Sequence, residues 1–276
     1  MEDTKKKGIV FFDLDGTLLD NSIDTIPQSA LDAVQKLKEN SYVVALSTGR
    51  DMDSHYSVKY RKLLLPDAIV HLNGIKITIG EKYLADHYMD ESLLKEIAAY
   101  ANEHQICFGT TVGNEDFYTV PRKRAHADQV YNKYIRRNFV PFDEIFRRGL
   151  RVRGLSYAGD LDHEKAQIEA RFPQLRLIGF TSRQGADVVE RGYSKAEGMK
   201  KVCAYYGFSE KEAYAFGDSL NDMEIIEAVG CGIAMGNAVP ELKKIADYVT
   251  DDVKHDGIRN ACLHFHLIET DRNSAC

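Results

Sequence analysis

Two aspartates stand directly after a short apolar run near the start of the chain. Residues 9–12 are Ile-Val-Phe-Phe, and Asp13 and Asp15 follow them, with Gly16 and Thr17 immediately after. The run is apolar without alternation, which is typical of a strand buried on both faces of a parallel sheet. Neighbouring carboxylates repel each other, and a bound cation removes that cost. We therefore predict a buried strand that brings both aspartates to a phosphate and a divalent cation, although Asp-Gly between apolar residues is also a common hairpin signal.

A second apolar run, residues 213–216, ends in a similar way. Beyond Gly217 it leads to Asp218, Asn221 and Asp222 within five positions. A loop with a helix cap could use one of these oxygen-bearing side chains, but three exceed what capping requires. The pattern therefore favours a second strand that ends in carboxylates.

A threonine and a lysine are the remaining candidates for chemistry. Thr48 follows the apolar run 42–46, and Lys195 follows Ser194 at the start of a helical pattern. Ser194 and Glu197 have the spacing of a capping box, which places Lys195 in the first helical turn, where the helix dipole disfavours a cation. Thr48 could be an ordinary helix cap, and Lys195 could be a tolerated surface lysine. The functional interpretation is that both hold phosphoryl oxygens.

The elements around these residues indicate a parallel sheet. Strand 9–12, a helix over about 27–40 and strand 42–46 form a βαβ unit, whose parallel strands end at the same edge. Asp13 and Thr48 are therefore predicted to be neighbours, at the edge where open α/β sheets bind ligands.

A hairpin is predicted after the third strand of this sheet, at residues 69–72. Asn73-Gly74 follows it, with isoleucines at alternating positions beyond, which is a type I′ hairpin signal. We interpret this hairpin as structural, and it could also guard the entrance of the site.

The pattern changes between residues 86 and 186, where helices and short strand-like runs are joined by connections of hairpin length. We predict that residues 1–85 and 187–276 form an α/β, Rossmann-like parallel-sheet core and that residues 86–186 form an inserted α+β domain. The insert is expected to contain helices at about 91–105, 125–136 and 162–172 and strands at about 106–112, 117–120, 149–157 and 175–180. A further strand at about 187–190 is expected to complete this block, at the boundary with the core.

Basic residues are concentrated in the insert between residues 121 and 153, most densely at Arg122-Lys123-Arg124. This stretch is either a solvated surface or an electropositive lid that draws an anionic substrate toward the site. No aromatic stacking motif accompanies the charges, which disfavours a nucleic-acid interface.

The composition excludes several other classes of protein. The net charge of −6 over 276 residues argues against nucleic acid as the main partner. The five cysteines are scattered without a CxxC pair, so they indicate reduced thiols rather than disulfides or a zinc site. Neither a signal peptide nor a bilayer-spanning apolar stretch is recognisable, so we predict a cytoplasmic protein without a membrane partner. His264 and His266 are interpreted as surface or packing residues.

The four candidate stretches resemble, in their order, the motifs of the haloacid dehalogenase (HAD) superfamily. Their spacing is similar to that of its Cof-type phosphatases, and the insert resembles the large type-II cap of that branch. The resemblance covers essentially the whole chain and rests on Asp13-Leu14-Asp15-Gly16-Thr17, Ser47-Thr48-Gly49-Arg50, Lys195 and Gly217-Asp218-Ser219-Leu220-Asn221-Asp222.

The resemblance implies specific roles for the carboxylates. Asp13 is expected to be the nucleophile that forms an aspartyl-phosphate, and Asp15 the acid that protonates the leaving group and then activates water. Mg²⁺ is expected to be held by Asp13, the backbone carbonyl of Asp15 and Asp218, with Asp222 fixing a coordinated water.

The resemblance also implies a phosphate-binding set. Thr48 and Lys195 are expected to hold phosphoryl oxygens, and Asn221 to position Lys195 or its own loop. The other residues assigned to this set are Gly16, Thr17, Gly49 and Arg50.

The function implied is a Mg²⁺-dependent phosphatase of small phosphorylated metabolites. An acid at Asp15 favours hydrolysis, which leaves a phosphomutase as the alternative enzyme and a non-catalytic phosphometabolite-binding regulator as the alternative of another class. Sugar phosphates are the first substrates expected, before pyridoxal phosphate and flavin mononucleotide. The oligomeric state is not predicted.

Overall fold

The computed structural model describes residues 6–119, 139–180 and 184–269. The predicted helix at 125–136 lies outside these residues. The strands are β1 Gly8–Phe12, β2 Tyr42–Ser47, β3 Ala68–His71, β4 Lys76–Ile79, β5 Lys82–Asp86, β6 Cys107–Val112, β7 Glu115–Tyr118, β8 Phe139–Pro141, β9 Leu155–Ala158, β10 Leu175–Gly179, β11 Gly185–Glu190, β12 Ala213–Gly217, β13 Cys231–Ala234 and β14 Tyr248–Val249. The helices are α1 Gln28–Glu39, α2 Val58–Leu64, α3 Glu91–His104, α4 Asp143–Arg147, α5 Leu161–Arg171, α6 Lys195–Tyr206, α7 Met223–Ala228, α8 Pro240–Ile245 and α9 Gly257–His264.

The chain divides into two compact units. The first contains the described residues up to Met52, Lys59–Leu84 and those from Ser194 onward, and the second contains Asp53–Val58 and Ala85–Tyr193. The chain thus returns to the first unit later than the predicted residue 187. The physical reason is that β11 pairs antiparallel with β10 and β9, which keeps its residues in the sheet of the insert.

The first unit is built on a sheet with the strand order β14-β13-β12-β1-β2-β3-β4-β5. The six strands from β14 to β3 are parallel, and β4 returns antiparallel to β3. This architecture confirms the predicted parallel-sheet core. Because β1 pairs in parallel with both β12 and β2, the alternative of a hairpin at Asp15-Gly16 is wrong.

Apolar side chains bury the central strands of this sheet. All five residues of β1 are buried, and Phe12 stacks on Phe216 of β12 with ring centroids 4.8 Å apart. Burying one such side chain contributes about 1.5–3 kcal/mol. Helix α6 packs closely on β3, because a Cβ at Gly198 would lie only 2.3 Å from Val70. The core thereby fixes β1, which ends directly before Asp13, and α6, which begins at Lys195.

The hairpin between β3 and β4 differs in detail from the prediction. His71 pairs with Lys76, so the loop has four residues instead of two. Helix α2 begins at Val58, ten positions beyond Thr48, which removes the interpretation of Thr48 as an ordinary helix cap.

The second unit contains a sheet with the order β10-β11-β9-β6-β7-β8. Its neighbours are antiparallel except for the parallel pair β7 and β8. Helices α3 and α5 contribute Leu94, Ile97 and Ile168 to a separate hydrophobic core. The mixed elements confirm the predicted α+β character, and β8 and α4 are additions that no sequence pattern indicated.

Candidate active site

The loop after β1 is shaped around Asp13 and Gly16. The Asp13 amide donates to the carbonyl of Phe216 at 3.0 Å, and its side chain is buried. Gly16 adopts φ +75°, and a Cβ there would lie 2.3 Å from Asp218 Oδ2. Thr17 Oγ1 lies 3.4 Å from Asp218 Oδ1, with the hydroxyl as donor. The loops after β1 and β12 are therefore in direct contact.

Lys195 lies at the centre of the buried charges. Its side chain is fully buried, and Nζ donates to Asp13 Oδ1 at 2.8 Å and to Asp222 Oδ1 at 2.6 Å. Ser194 begins the helix as predicted, with Oγ accepting from the Glu197 amide at 3.2 Å. The other half of the predicted capping box is absent among the described contacts of Glu197, whose carboxylate pairs with Lys200 at 2.6 Å.

Asp222 closes the loop that follows β12. Its Oδ2 accepts from the amides of Asp218 and Ser219 at 3.0 and 3.1 Å, while Oδ1 accepts from Lys195. Three hydrogen bonds thus converge on one buried carboxylate, two from amides of its own loop and one from Lys195. Asn221, one position earlier, donates to Asn73 Oδ1 at 3.2 Å and accepts from Ser219 Oγ at 2.7 Å. These contacts hold the loop, which is one of the two roles predicted for Asn221.

The segment after β2 carries Thr48, Gly49 and Arg50. Thr48 is completely buried at the end of β2, its amide donates to Val70 O at 2.9 Å, and Oγ1 accepts from the Arg50 amide at 3.1 Å. The Arg50 guanidinium makes a two-pronged hydrogen bond to Asp15, with Nε–Oδ2 at 2.7 Å and Nη2–Oδ1 at 2.5 Å. Arg50 was predicted to contact phosphate, and the structure pairs it with the candidate acid–base residue.

The electrostatics of the site follow from burying several carboxylates together. Burial, together with the charges of Asp222 and Asp15, raises the pKa of Asp13 to about 7 despite the opposing effect of Lys195. Burial and the charges of Asp13 and Asp222 raise the pKa of Asp218 to about 9. Burial disfavours the charged form of Lys195, but its two carboxylate partners outweigh burial and raise its pKa. Carboxyl groups therefore outnumber the cationic side chains Lys195 and Arg50 at this sheet edge, and burial opposes their ionisation.

This charge pattern fits a divalent cation. Asp13, Asp218 and Asp222 each offer a carboxylate oxygen, and these oxygens lie within 4.8 Å of one another. An all-oxygen donor set suits a hard cation such as Mg²⁺. A cation here would also favour the ionised carboxylates that burial opposes.

Sequence patterns had not marked Asn73 as part of the site. It is 1% exposed, and it joins the segment after β2 to the loop after β12. The Asn-Gly pair is the sequence feature that could have indicated this role, because asparagine tolerates positive φ and its side-chain amide can form hydrogen bonds in a turn.

The basic stretch is only partly described. Arg122, Lys123 and Arg124 lie outside the described residues. Farther along, Arg147 pairs with Glu144, Arg148 with Glu115 and Arg153 with Asp86, and the Arg151 guanidinium lies 3.6 Å from the centroid of the Tyr88 ring. These partners match a structural role for the described part of the stretch. His264 stacks on Tyr248 with centroids 4.3 Å apart.

A family model described as haloacid dehalogenase-like hydrolase matches residues 10–262. The chain belongs to this family. The resemblance to HAD phosphatases of the Cof type is thereby confirmed, and the matched range includes all four candidate stretches.

Two curated relatives of this HAD hydrolase are named as phosphatases. The putative phosphatase YkrA of Bacillus subtilis is 32% identical over 264 residues, which is 95% of this chain and 98% of the relative. The 5-amino-6-(5-phospho-D-ribitylamino)uracil phosphatase YitU of the same organism is 28% identical, over 92% of this chain and 95% of the relative.

Solved structures show the same fold. The HAD phosphatase BT1666 of Bacteroides thetaiotaomicron superposes with a TM-score of 0.85 at 24% identity, over 97% of this chain and 98% of that one. The HAD subclass IIB sugar phosphatase BT4131 superposes with a TM-score of 0.82 at 23% identity, over 95% of this chain and 100% of that one.

In the described parts of our chain, no helix has the length and apolarity needed to cross a membrane.

Proposed function

We propose that this HAD hydrolase is a Mg²⁺-dependent phosphatase that cleaves small phosphoesters through an aspartyl-phosphate on Asp13. The observation that carries the proposal is the buried cluster in which Lys195 bridges Asp13 and Asp222 beside Asp218. Bound Mg²⁺ would be held by Asp13, Asp218 and the Asp15 carbonyl, with Asp222 beside it, and would withdraw charge from the phosphoryl oxygens.

The chain's own residues would perform the two displacements. A carboxylate oxygen of Asp13 attacks phosphorus while the bond from phosphorus to the ester oxygen breaks, and Asp15 gives its proton to that oxygen. Asp15 then takes a proton from water, and the water oxygen attacks phosphorus while the bond between phosphorus and the Asp13 carboxylate oxygen breaks, which releases inorganic phosphate and restores Asp13. Thr48 and Lys195 stabilise the negative charge of the equatorial oxygens, which is the main source of catalysis in phosphoryl transfer.

Asp13→Asn tests the nucleophile. We expect hydrolysis of an aryl phosphate and formation of a phospho-adduct to fall by about three orders of magnitude or more, because the amide is a far poorer nucleophile. Asp20→Asn is the matched control, since Asp20 is also buried in the loop after β1 but hydrogen-bonds Ser22. Substantial Mg²⁺-dependent turnover by the Asp13 variant would contradict the assignment.

The substrate class is proposed to be sugar phosphates and related phosphorylated polyols. The support is that YitU is named for a phosphoribityl substrate and BT4131 for sugar phosphates. A hydrolysis screen over phosphoesters, with and without Mg²⁺, tests this substrate class. Pyridoxal phosphate and flavin mononucleotide are included as the alternative substrates. Phosphate released into solution supports a phosphatase, whereas transfer to a second hydroxyl of the substrate would identify a phosphomutase.

A further inference from the structure

The turn between β3 and β4, residues 72–75, has an unusual backbone for its composition. Leu72 and Asn73 both have positive φ, 51° and 53°, and Asn73 is 1% exposed. Such a conformation costs about 1 kcal/mol or more for a residue with a side chain. The turn must therefore be held by the contacts that it makes.

One set of contacts holds the segment that carries Thr48 and Arg50. The Asn73 amide donates to the Thr48 carbonyl at 3.0 Å, and the Leu72 amide donates to the Arg50 carbonyl at 3.2 Å. The strands on either side add two more, because Lys76 donates to Asp51 and His71 Nδ1 accepts from the amide of Met52 at 3.0 Å. Lys76 and His71 are themselves buried. The segment after β2 is thus fixed by these four polar contacts, in addition to the bond from the Thr48 amide to the Val70 carbonyl of β3.

A second set reaches the other two parts of the site. Asn73 Oδ1 accepts from Asn221, whose neighbour Asp222 accepts from Lys195. Gly74 lies against the start of α6, where a Cβ would approach the Ser194 carbonyl to 2.3 Å. The same short turn therefore contacts the segments that carry Thr48, Asp222 and Lys195.

We infer that the 72–75 turn positions these three segments relative to one another, with Asn73 as the positioning residue, an inference that rests on the proposed function. Asn73 acts through Asn221 and through the backbone of Thr48. The Asn73–Asn221 hydrogen bond keeps the loop after β12 in the arrangement that aligns Asp222 and Lys195 with Asp13. Losing that bond should lower the rate of the chemical step more than the affinity for substrate.

The test uses Asn73→Gly, which removes the side chain and also relieves the positive φ. We expect kcat for aryl phosphate hydrolysis to fall about tenfold, because the loop that carries Asp222 is no longer held in position, while KM stays within about twofold. Asn221→Ala should lose a similar factor, and the double variant should lose no more than the worse single variant. Asn73→Asp, which keeps the acceptor oxygen, should recover most of kcat.

Asp256→Gly is the matched control, because Asp256 is exposed and also has a positive φ of 59°. Its kcat should match that of the unmodified chain. Hydrogen exchange supplies a readout that needs no activity. The amides of Asp218 and Ser219, which donate to Asp222, should exchange faster with solvent in Asn73→Gly than in the unmodified chain. In Asp256→Gly their exchange rates should not change.

The outcomes separate the two proposals. Absence of phosphatase activity in the unmodified chain would count against the proposed function, and exchange at Asp218 and Ser219 would still decide the role of the turn. Unchanged exchange in Asn73→Gly would overturn the positioning role. In an active enzyme, a kcat within twofold of the unmodified chain, or losses that multiply in the double variant, would overturn it as well.

Discussion

At the scale of single residues, the site depends on a positively charged lysine, Lys195, at the N-terminus of a helix, where the helix dipole disfavours a cation. The first turn of α6 carries the positive end of the helix dipole, which costs a cation tenths of a kcal/mol to about 1 kcal/mol. Hydrogen bonds to Asp13 and Asp222, both charge-assisted and buried, outweigh that cost. The result is a fixed ammonium beside the proposed nucleophile.

The raised pKa values of Asp13 and Asp218 predict how the metal-free protein responds to pH. Values of about 7 and about 9 lie above that of an ordinary aspartate, so the folded chain binds protons that the unfolded chain has released. The free energy of unfolding should therefore fall as pH rises from 6 to 9. Urea unfolding in EDTA measures this fall, and Mg²⁺ or Asp218→Asn should reduce it. An unfolding free energy that stays constant over this range, or rises, would contradict the shifts.

Gly16→Ala tests the close contact between the loops after β1 and β12. An alanine at positive φ costs about 1–2 kcal/mol, and its Cβ would also collide with the Asp218 carboxylate. We expect a loss of stability beyond the backbone term and weaker Mg²⁺ binding, measured by urea unfolding and titration calorimetry. Gly80→Ala is the control, because φ there is +53° and, among the described residues, no heavy atom outside its own neighbours lies within 4 Å of the added Cβ. Equal Mg²⁺ affinity in both variants would show that Gly16 does not shape the site.

At the scale of elements, the start of α6 couples helix stability to the position of Lys195. Ser194 supplies the cap hydrogen bond and is itself buried. Helix α3 in the second unit has an equivalent cap, in which Asp90 accepts from the amides of Ser92 and Leu93 at 2.8 and 3.3 Å. The two caps therefore form a matched pair, one beside the site and one in the other unit.

Ser194→Ala and Asp90→Ala should each lower the free energy of unfolding of their own unit by about 1 kcal/mol. Only Ser194→Ala should also lower kcat, because fraying of the first turn moves Lys195. Steady-state kinetics below the unfolding transition, with the folded fraction measured in parallel, distinguish the two effects. A comparable fall in kcat for Asp90→Ala would mean that the caps affect turnover only through overall stability.

At the scale of the whole molecule, the carboxylate cluster belongs to one of two units with separate cores. A ligand that binds only the folded form stabilises it by about 2.7 kcal/mol at a hundred times its Kd. We expect Mg²⁺ to raise the unfolding temperature of the first unit and to leave that of the second largely unchanged in differential scanning calorimetry. Ile97→Ala opens a cavity in the core of the second unit and should lower only the unfolding temperature of that unit. This shift identifies which calorimetric transition belongs to the second unit. An equal Mg²⁺ shift of both transitions would contradict this division.

The sequence by itself determined the family, the parallel-sheet core and the positions of the candidate residues along the chain. These features are local: apolar runs without alternation mark β1 and β12, and the carboxylates that follow each run are read directly from the chain. Lys195 in the first turn of α6 follows from the cap pattern at Ser194.

Only the tertiary structure decided which of these groups meet. Lys195 bonds Asp13 across 182 positions of sequence, Arg50 turns to Asp15, and Asn73 joins segments that no periodicity links. The pairing of β11 with both β9 and β10 was likewise decided by the tertiary structure. The physical reason is that periodicity records which face of an element is buried, whereas the partner of a buried polar group depends on the packing of distant segments.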